Sequence, residues 1–346
     1  MFKGIDFFSD TVTRPTKQMK LAMLEAELGD EQKGEDPTTL RLEEKLAELT
    51  GKTAAMFFPS ATMANEVAIS MHCERGEELI ADEHCHLFLA EGGGPAVHSG
   101  VQTKIITTKH GIFSGEDIRK AYRWPKGPHY PLSKMVSVEN TTNMGGGIPW
   151  TLSELDSVFE ATGELNLKTH MDGARMFHAS VALNLQVDRI TSRFDSITVC
   201  FSKGLACPTG AVLCFEKEQQ TKVRRLKQLF GGCMRQSGIL AAACLYALDH
   251  HVDRLELDHQ HAAILASGLR EIPNIEVEEQ ERSTNMVFFH WKSKEVSPEQ
   301  FLQSCIREGI RFSHVAETRF RAVTHIDITR KDIDTALNAL RKIALQ

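Results

Sequence analysis

Lys203 lies in the stretch DSITVCFSKGLACPTGAVL, directly after an apolar run and before Gly204, with a second apolar run close behind. A lysine in a tight turn at a strand end, partly withdrawn from water, gives up its proton more readily and can form a Schiff base with a carbonyl. About thirty residues upstream, KTHMDGARMF places Asp172 at the end of an apolar run, with Arg175 on the next turn. A carboxylate facing the same crevice would keep a pyridine nitrogen protonated and its ring electron-withdrawing. The same residue would equally serve as a cap for the helix that follows. In FFPSATMANEVAISMHC, Ser60, Ala61 and Thr62 open a helix, where free backbone N–H groups suit a phosphate, although Ser and Thr also cap helices with no ligand present.

His86 lies in ADEHCHLFLAEGGG. His84, His86 and Glu91 match no standard zinc spacing, so no metal is expected, and a stacked or structural imidazole is the better reading. Cys85 between the two histidines is discounted as a nucleophile, because neighbours on an extended segment point to opposite faces. Taken together, a lysine after a strand, an aspartate well before it and a phosphate-suited helix start far upstream describe a pyridoxal-phosphate site.

These residues need a scaffold that gathers strand ends, and the alternation of short apolar runs with helical periodicity supplies one. Helices are expected over Thr16–Leu28 and Thr38–Leu49, the second opened by Thr38 after Pro37. Strands are expected at AAMFF (54–58), KIITT (104–108), MVSVEN (135–140), THMD (169–172), ITVCF (197–201) and AVLCF (211–215). Such alternation implies an α/β fold with a mostly parallel sheet covered on both faces and ligands at the strand carboxyl ends. A long helical run over 234–255 then leads into an α+β pattern, with strands at 286–291, 309–314 and 322–328 and helices at 298–307 and 331–345. The expected division is an N-terminal segment 1–15 that reaches the active site, a large α/β domain 16–245 and a small α+β domain 246–346.

The 346 residues are 42% hydrophobic and 25% charged, ordinary values for a folded protein. Forty basic against forty-six acidic residues, with no basic run, argue against nucleic acid as a partner. No stretch approaches a membrane span, and the opening MFKGIDFFSDTVTRP lacks a signal-peptide core, so the chain is expected to be cytoplasmic. The eight cysteines form no CxxC pair and are expected to be buried small hydrophobes.

Over almost its full length the chain resembles the threonine aldolases, within the β-eliminating lyase group of fold type I pyridoxal-phosphate enzymes. The matching stretches include SDTVTRPT, GEDPT, FPSATMAN, HLFLAEGGG, VENTTN, HMDGARMF, FSKGLACPTGAVL, GGCMRQSG, TNMVFF and RAVTHIDIT. The resemblance implies Lys203 as the Schiff-base lysine, Asp172 facing the pyridine nitrogen and His86 stacked on the ring. It implies Ser60, Ala61 and Thr62 around the phosphate, joined by Arg235 from a neighbouring subunit, and Ser9, Arg175 and Arg321 on the substrate carboxylate. The implied activity is retro-aldol cleavage of a β-hydroxy-α-amino acid to glycine and an aldehyde, in a homo-oligomer (dimer or tetramer) with active sites at the subunit interface.

Four positions depart from the family pattern. Thr142 stands where a histidine is usual, Lys33 replaces a tyrosine, Phe8 an arginine and Ala61 a glycine. A threonine cannot act as a base near neutral pH, so proton abstraction would fall to His86, a water or another group. These departures keep open another pyridoxal-phosphate reaction, such as β-elimination or aldol-type transfer.

Overall fold

The computed structural model describes residues 2–125, 127–279 and 281–345. Among the described residues thirteen strands form three sheets: β1 (Ile5–Asp6), β2 (Ala54–Phe58), β3 (Glu78–Asp82), β4 (Gln102–Ile106), β5 (Ser133–Glu139), β6 (Lys168–Gly173), β7 (Ser196–Cys200), β8 (Ala211–Phe215), β9 (Ile275–Val277), β10 (Met286–Trp291), β11 (Ile310–Arg311), β12 (Ser313–Ala316) and β13 (Arg319–Val323). The largest has seven strands in the order β2-β8-β7-β6-β5-β3-β4. Only β8 runs against its neighbours; β7, β6, β5, β3 and β4 pair in parallel.

Alternate residues of these strands feed opposite faces, as the period of two requires. Phe57, Ile80, Val136, Val138, Met171, Ile197, Val199 and Val212 enter one large core with the helices Pro37–Thr50, Leu152–Glu164 and Gly238–His250. Met56, Phe58, Leu213 and Phe215 pack on the other face against the helix Ala61–His72, and Leu79, Ala81 and Met135 join Ile69 there. Burial on both faces explains why these strands are apolar at nearly every position instead of alternating.

The second core is built around an antiparallel sheet, β12-β13-β10-β9, under the helices Leu255–Arg270, Pro298–Arg307 and Arg330–Ala344. Trp291 stacks on Phe301 at 4.2 Å and Phe289 on Phe320 at 5.5 Å. The N-terminal segment belongs to this core: β1 pairs with β11, and Phe7 is fully buried and stacks on Phe312. Among the described residues no helix is long and apolar enough to cross a membrane.

Several expected boundaries shift for identifiable reasons. The first helix is Lys17–Leu24, not Thr16–Leu28: the chain beyond it is diverted, with the Glu27 carbonyl accepting from the Thr38 hydroxyl at 2.7 Å and Gly29 N–H donating to Asp36 at 3.1 Å. The second helix is capped by Asp36, with Pro37 at its first position. The run 234–255 divides into Gly238–His250 and Leu255–Arg270, its interruption fixed by His251 Nδ1 on the Leu205 carbonyl at 2.8 Å. The last strand covers Arg319–Val323; the following Thr324 turns away to bond the Asp258 and Asn285 carbonyls. Strand β3 was not expected from the sequence, yet it sits between β5 and β4 and ends two residues before His84.

Candidate active site

The carboxyl ends of β3, β5, β6 and β7 lie side by side and deliver four loops to one edge of the sheet. They carry His86, the segment Asn140–Asn143, Arg175 and Lys203 in that order. Asp172, at the end of β6, is 2% exposed; its Oδ1 accepts from Ala174 N–H at 3.1 Å and its Oδ2 from the Asn65 amide at 3.1 Å. The same amide donates to Glu91 Oε1 at 2.9 Å, and His86 Nδ1 meets that oxygen at 2.8 Å. Asn65 therefore ties the aspartate to the histidine through Glu91. His170 Nε2 meets Asn65 Oδ1 at 3.2 Å, and its Nδ1 meets Ser196 Oγ at 2.8 Å, which holds the amide from behind. His86, Glu91 and Asp172 bring ligand-type atoms within 4.8 Å of one another. The facing oxygens of both carboxylates accept from the Asn65 amide.

His86 opens the short helix His86–Leu89, and its backbone N–H donates to Glu139 Oε1 at 3.0 Å. The hydrogen bond to Glu91 raises the His86 pKa, opposed by burial. Burial, with the charge of Asp172, pushes Glu139 up to about 7, although Asn143 N–H donates to it at 2.6 Å. Cys85 precedes this helix instead of lying on a strand, and burial drives its thiol pKa up, so it has no thiolate character.

Lys203 is half-buried in the turn after β7, and its carbonyl accepts from Thr13 Oγ1 and Ala206 N–H, both at 2.8 Å. A Cβ on Gly204 would lie 2.5 Å from His178 Nε2, so only glycine lets this turn pack against that imidazole. Ala206 carries a φ of 60°, a left-handed conformation that alanine adopts at a cost of about 1 kcal/mol or more. The Lys203 charge acts on both Asp10 and His86, lowering the pKa of each.

Arg175, 5% exposed, forms a bidentate pair with Asp10, Nε to Oδ2 at 2.8 Å and Nη2 to Oδ1 at 2.6 Å. Burial alone would raise the Asp10 pKa, but the Arg175 charge and its hydrogen bonds hold it well below the usual carboxylate range. Ser9 lies beside this pair, its hydroxyl 3.4 Å from Asp10 Oδ1 and accepting from Thr11 N–H at 3.2 Å. Arg321 reaches in from β13, Nη1 to Asn143 Oδ1 at 2.7 Å and Nη2 to the Phe8 carbonyl at 3.4 Å. Its Nε is buried without a partner, as are Asn140 Nδ2 and Thr141 Oγ1. Burial, with the nearby Arg175 charge, pulls the Arg321 pKa down to about 10.

Ser60 caps the helix Ala61–His72, accepting from Met63 N–H at 3.2 Å, which leaves the first N–H groups at Ala61 and Thr62 facing outward. Arg235 is not brought to the other named groups within this chain: its exposed guanidinium pairs with Asp30 at 2.9 Å. Thr142 is buried, and its hydroxyl accepts from Ile148 N–H at 3.2 Å. Lys33 and Phe8 are exposed. Sequence reasoning missed Asp10, Asn65, Glu139 and Asn143. All four carried a signal in retrospect, since each is a polar residue inside a stretch already singled out: Asp10 in SDTVTRPT, Asn65 in FPSATMAN, and Glu139 and Asn143 in VENTTN.

Residues 6–292 match the beta-eliminating lyase family. The low specificity L-threonine aldolase of Escherichia coli K12 is 40% identical over 333 residues, covering 95% of this chain and 96% of its own. Low-specificity L-threonine aldolase 1 of Arabidopsis thaliana is 36% identical over 349 residues, covering 100% and 98%. Among solved structures, the threonine aldolase of Leishmania major superimposes with a TM-score of 0.84 at 19% identity, over 98% of this chain and 99% of that one. The fold, the gathered strand ends and these likenesses agree: the chain belongs to the β-eliminating lyase family and, within it, to the threonine aldolases among the fold type I pyridoxal-phosphate enzymes.

Proposed function

We propose that the chain cleaves a β-hydroxy-α-amino acid of threonine or allo-threonine type to glycine and an aldehyde by retro-aldol cleavage. The observation that carries this reading is Arg321: a buried guanidinium with an unpaired Nε, next to a second guanidinium already neutralised by Asp10, reaching from β13 to Asn143 in the loop after β5, at the sheet edge that carries Lys203, Asp172 and His86. Two buried cations with one counter-charge favour an added carboxylate, and a planar guanidinium offers it a directed fork.

In this reading Lys203 would anchor pyridoxal 5′-phosphate through its amine, Asp172 would supply the negative charge that keeps a pyridine nitrogen protonated, and Ser60, Ala61 and Thr62 would hold the phosphate with Arg235 of the partner subunit. When bound, that group supplies an electron sink for the Cα–Cβ bond. Arg321 grips the substrate carboxylate with Ser9; Arg175, held by Asp10, contributes charge and orientation. His86 uses Nδ1 on Glu91, and its Nε2 is the nitrogen free to take the proton of the β-hydroxyl. Thr142 has no such role, because its hydroxyl is no base and is spent on Ile148 N–H.

The division 1–15, 16–245 and 246–346 belongs to this reading, supported by the contact of Asp10 with Arg175, although the helix Gly238–His250, packed in the large core, runs past the boundary at 245, and Phe7 packs in the second core. So does a homo-oligomer, supported by the exposed Arg235, and a cytoplasmic location, supported by eight free cysteines. The test is the visible spectrum of the purified protein before and after L-threonine and L-allo-threonine, with glycine and acetaldehyde assayed together. Lys203→Ala is expected to lose both the absorption band and turnover; ammonia and a keto acid as products would replace the aldolase reading with β-elimination.

A further inference from the structure

Glu66 has no assigned part in this chemistry, yet it lies one residue from Asn65 on the helix that starts at the phosphate-suited end. It is 2% exposed, and both of its carboxyl oxygens are buried with no hydrogen-bond donor. Glu91, the acceptor of His86 Nδ1, stands beside it: Gly94, which abuts the Glu66 carboxyl, donates its N–H to the Glu91 carbonyl at 2.9 Å, and the second Glu91 carboxyl oxygen, Oε2, is also buried and unpaired. Two carboxylates in one buried place cannot both be charged, and a single shared proton satisfies an orphaned oxygen on each.

The environment decides which carboxyl holds that proton. Burial, with the charge of Asp172, raises the Glu91 pKa as well, but its Oε1 accepts from His86 and from Asn65, and both bonds oppose that rise. Glu66 receives no such help: burial comes first and the neighbouring Glu91 second, both raising its pKa, to about 8. The charged groups around the pair are Asp172 and His86, which act on Glu91; no basic side chain is among the charges acting on Glu66. The site is also built sterically for this carboxyl. Gly94 has ordinary helical dihedrals, φ −49° and ψ −48°, yet a Cβ there would lie 2.0 Å from Glu66 Oε1. Glycine at 94 is therefore a requirement of the carboxyl and not of the backbone.

We propose that Glu66 is a positioning residue: it keeps its proton, donates it to Glu91 Oε2, and so leaves Glu91 as the singly charged acceptor that orients the His86 imidazole through Nδ1. The inference deepens, and rests on, the reading of His86 as the imidazole at the cofactor ring. Its function there is to hold the imidazole's outward nitrogen in one tautomer, since whichever proton sits on Nδ1 is fixed by the acceptor it meets.

The test uses the full-length chain without added cofactor as well as the holoenzyme. An infrared difference between wild type and Glu66→Gln at about pH 6, below the Glu66 value near 8, is expected to show the loss of one protonated carboxyl band, while those of Glu43 and Glu139, both near 7, remain in each protein. In histidine-labelled chain, NMR titration of His86, assigned through His86→Asn, is expected to show a pKa lowered by at least about half a unit in Glu66→Met, because Glu91 without its donor takes up the proton and stops supporting the imidazolium. Glu66→Gln keeps a donor and is expected to restore the wild-type titration and a cofactor affinity that Glu66→Met weakens about tenfold, in line with the loss of outer hydrogen-bond partners elsewhere. An unchanged carboxyl band in Glu66→Gln overturns the proposal, and that variant suffices if Glu66→Met does not fold. If the band and the titration move as stated while neither Glu66→Met nor His86→Asn alters cofactor affinity, the shared proton stands and the reading of His86 at the ring fails.

Discussion

Replacing Asp10 by Asn keeps the shape of the side chain and removes the charge that faces Arg175. The pair is buried on both sides, with side-chain exposures of 4% for Arg175 and 0% for Asp10. Removing one member of such a pair leaves an uncompensated cation and costs about 3–5 kcal/mol. At about 2.1 cal/mol/K of unfolding entropy per residue, 346 residues give about 0.7 kcal/mol/K, so the melting temperature should fall by about 4–7 °C. The pH dependence has a definite sign. Because the Asp10 pKa is depressed in the folded chain, its stabilisation is present above the unfolded value near 4 and is lost as pH falls through that region. The gap between wild type and Asp10→Asn should therefore be full at pH 7 and shrink below about pH 4. Calorimetry across that range, at fixed protein concentration, measures it. Arg175→Met alone should also destabilise, and the double variant should lose less than the sum of the two. A drop of less than about 1 °C at neutral pH, or full additivity in the cycle, would refute the claim that this pair is what fixes Arg175.

Gly94→Ala should destabilise by about 1–3 kcal/mol through overpacking, since its Cβ meets Glu66 Oε1 at 2.0 Å. The loss should largely disappear in a Glu66→Ala background, and equal losses in both would show that the contact is not the cause. Glu43, whose Oε1 accepts from Phe57 N–H at 2.8 Å, is pushed up to about 7 by burial. The folded chain thus holds a proton there that the unfolded chain releases, stability declines from about pH 4.5 to about pH 7, and Glu43→Gln should gain stability at pH 8 and nothing at pH 4 in urea unfolding. Arg321→Met should raise KM for the amino acid far more than it lowers kcat, because it removes a grip on the carboxylate. A fall confined to kcat in steady-state kinetics would place Arg321 on another task.

Much of this was legible in the chain itself. Apolar runs such as AVLCF and MVFFHW become strands within the residues expected, because a strand buried on both faces must be apolar throughout and a short run has no helical alternative to choose. The stretches around Lys203, Asp172 and Ser60 were found because strand–turn–helix junctions have local signatures of residue type and spacing. Boundaries that depend on distant partners were not legible: the first helix stops at Leu24 because Thr38 and Asp36 claim the backbone beyond it, and nothing within residues 17–28 encodes that.

The sequence by itself determined the fold class, the family and the set of residues that bear charge or can take a proton. Tertiary structure decided which of those charges neutralise each other. Arg175 looked as free as Arg321 in the sequence, but folding brings Asp10 to one guanidinium from 165 positions away and leaves the other with an empty Nε. Glu66 and Glu91, ordinary acidic residues in the chain, become a pair that must share a proton once helix packing removes water from between them. Electrostatic roles depend on burial and on distances of a few ångströms between groups far apart in sequence, and these exist only in the folded molecule.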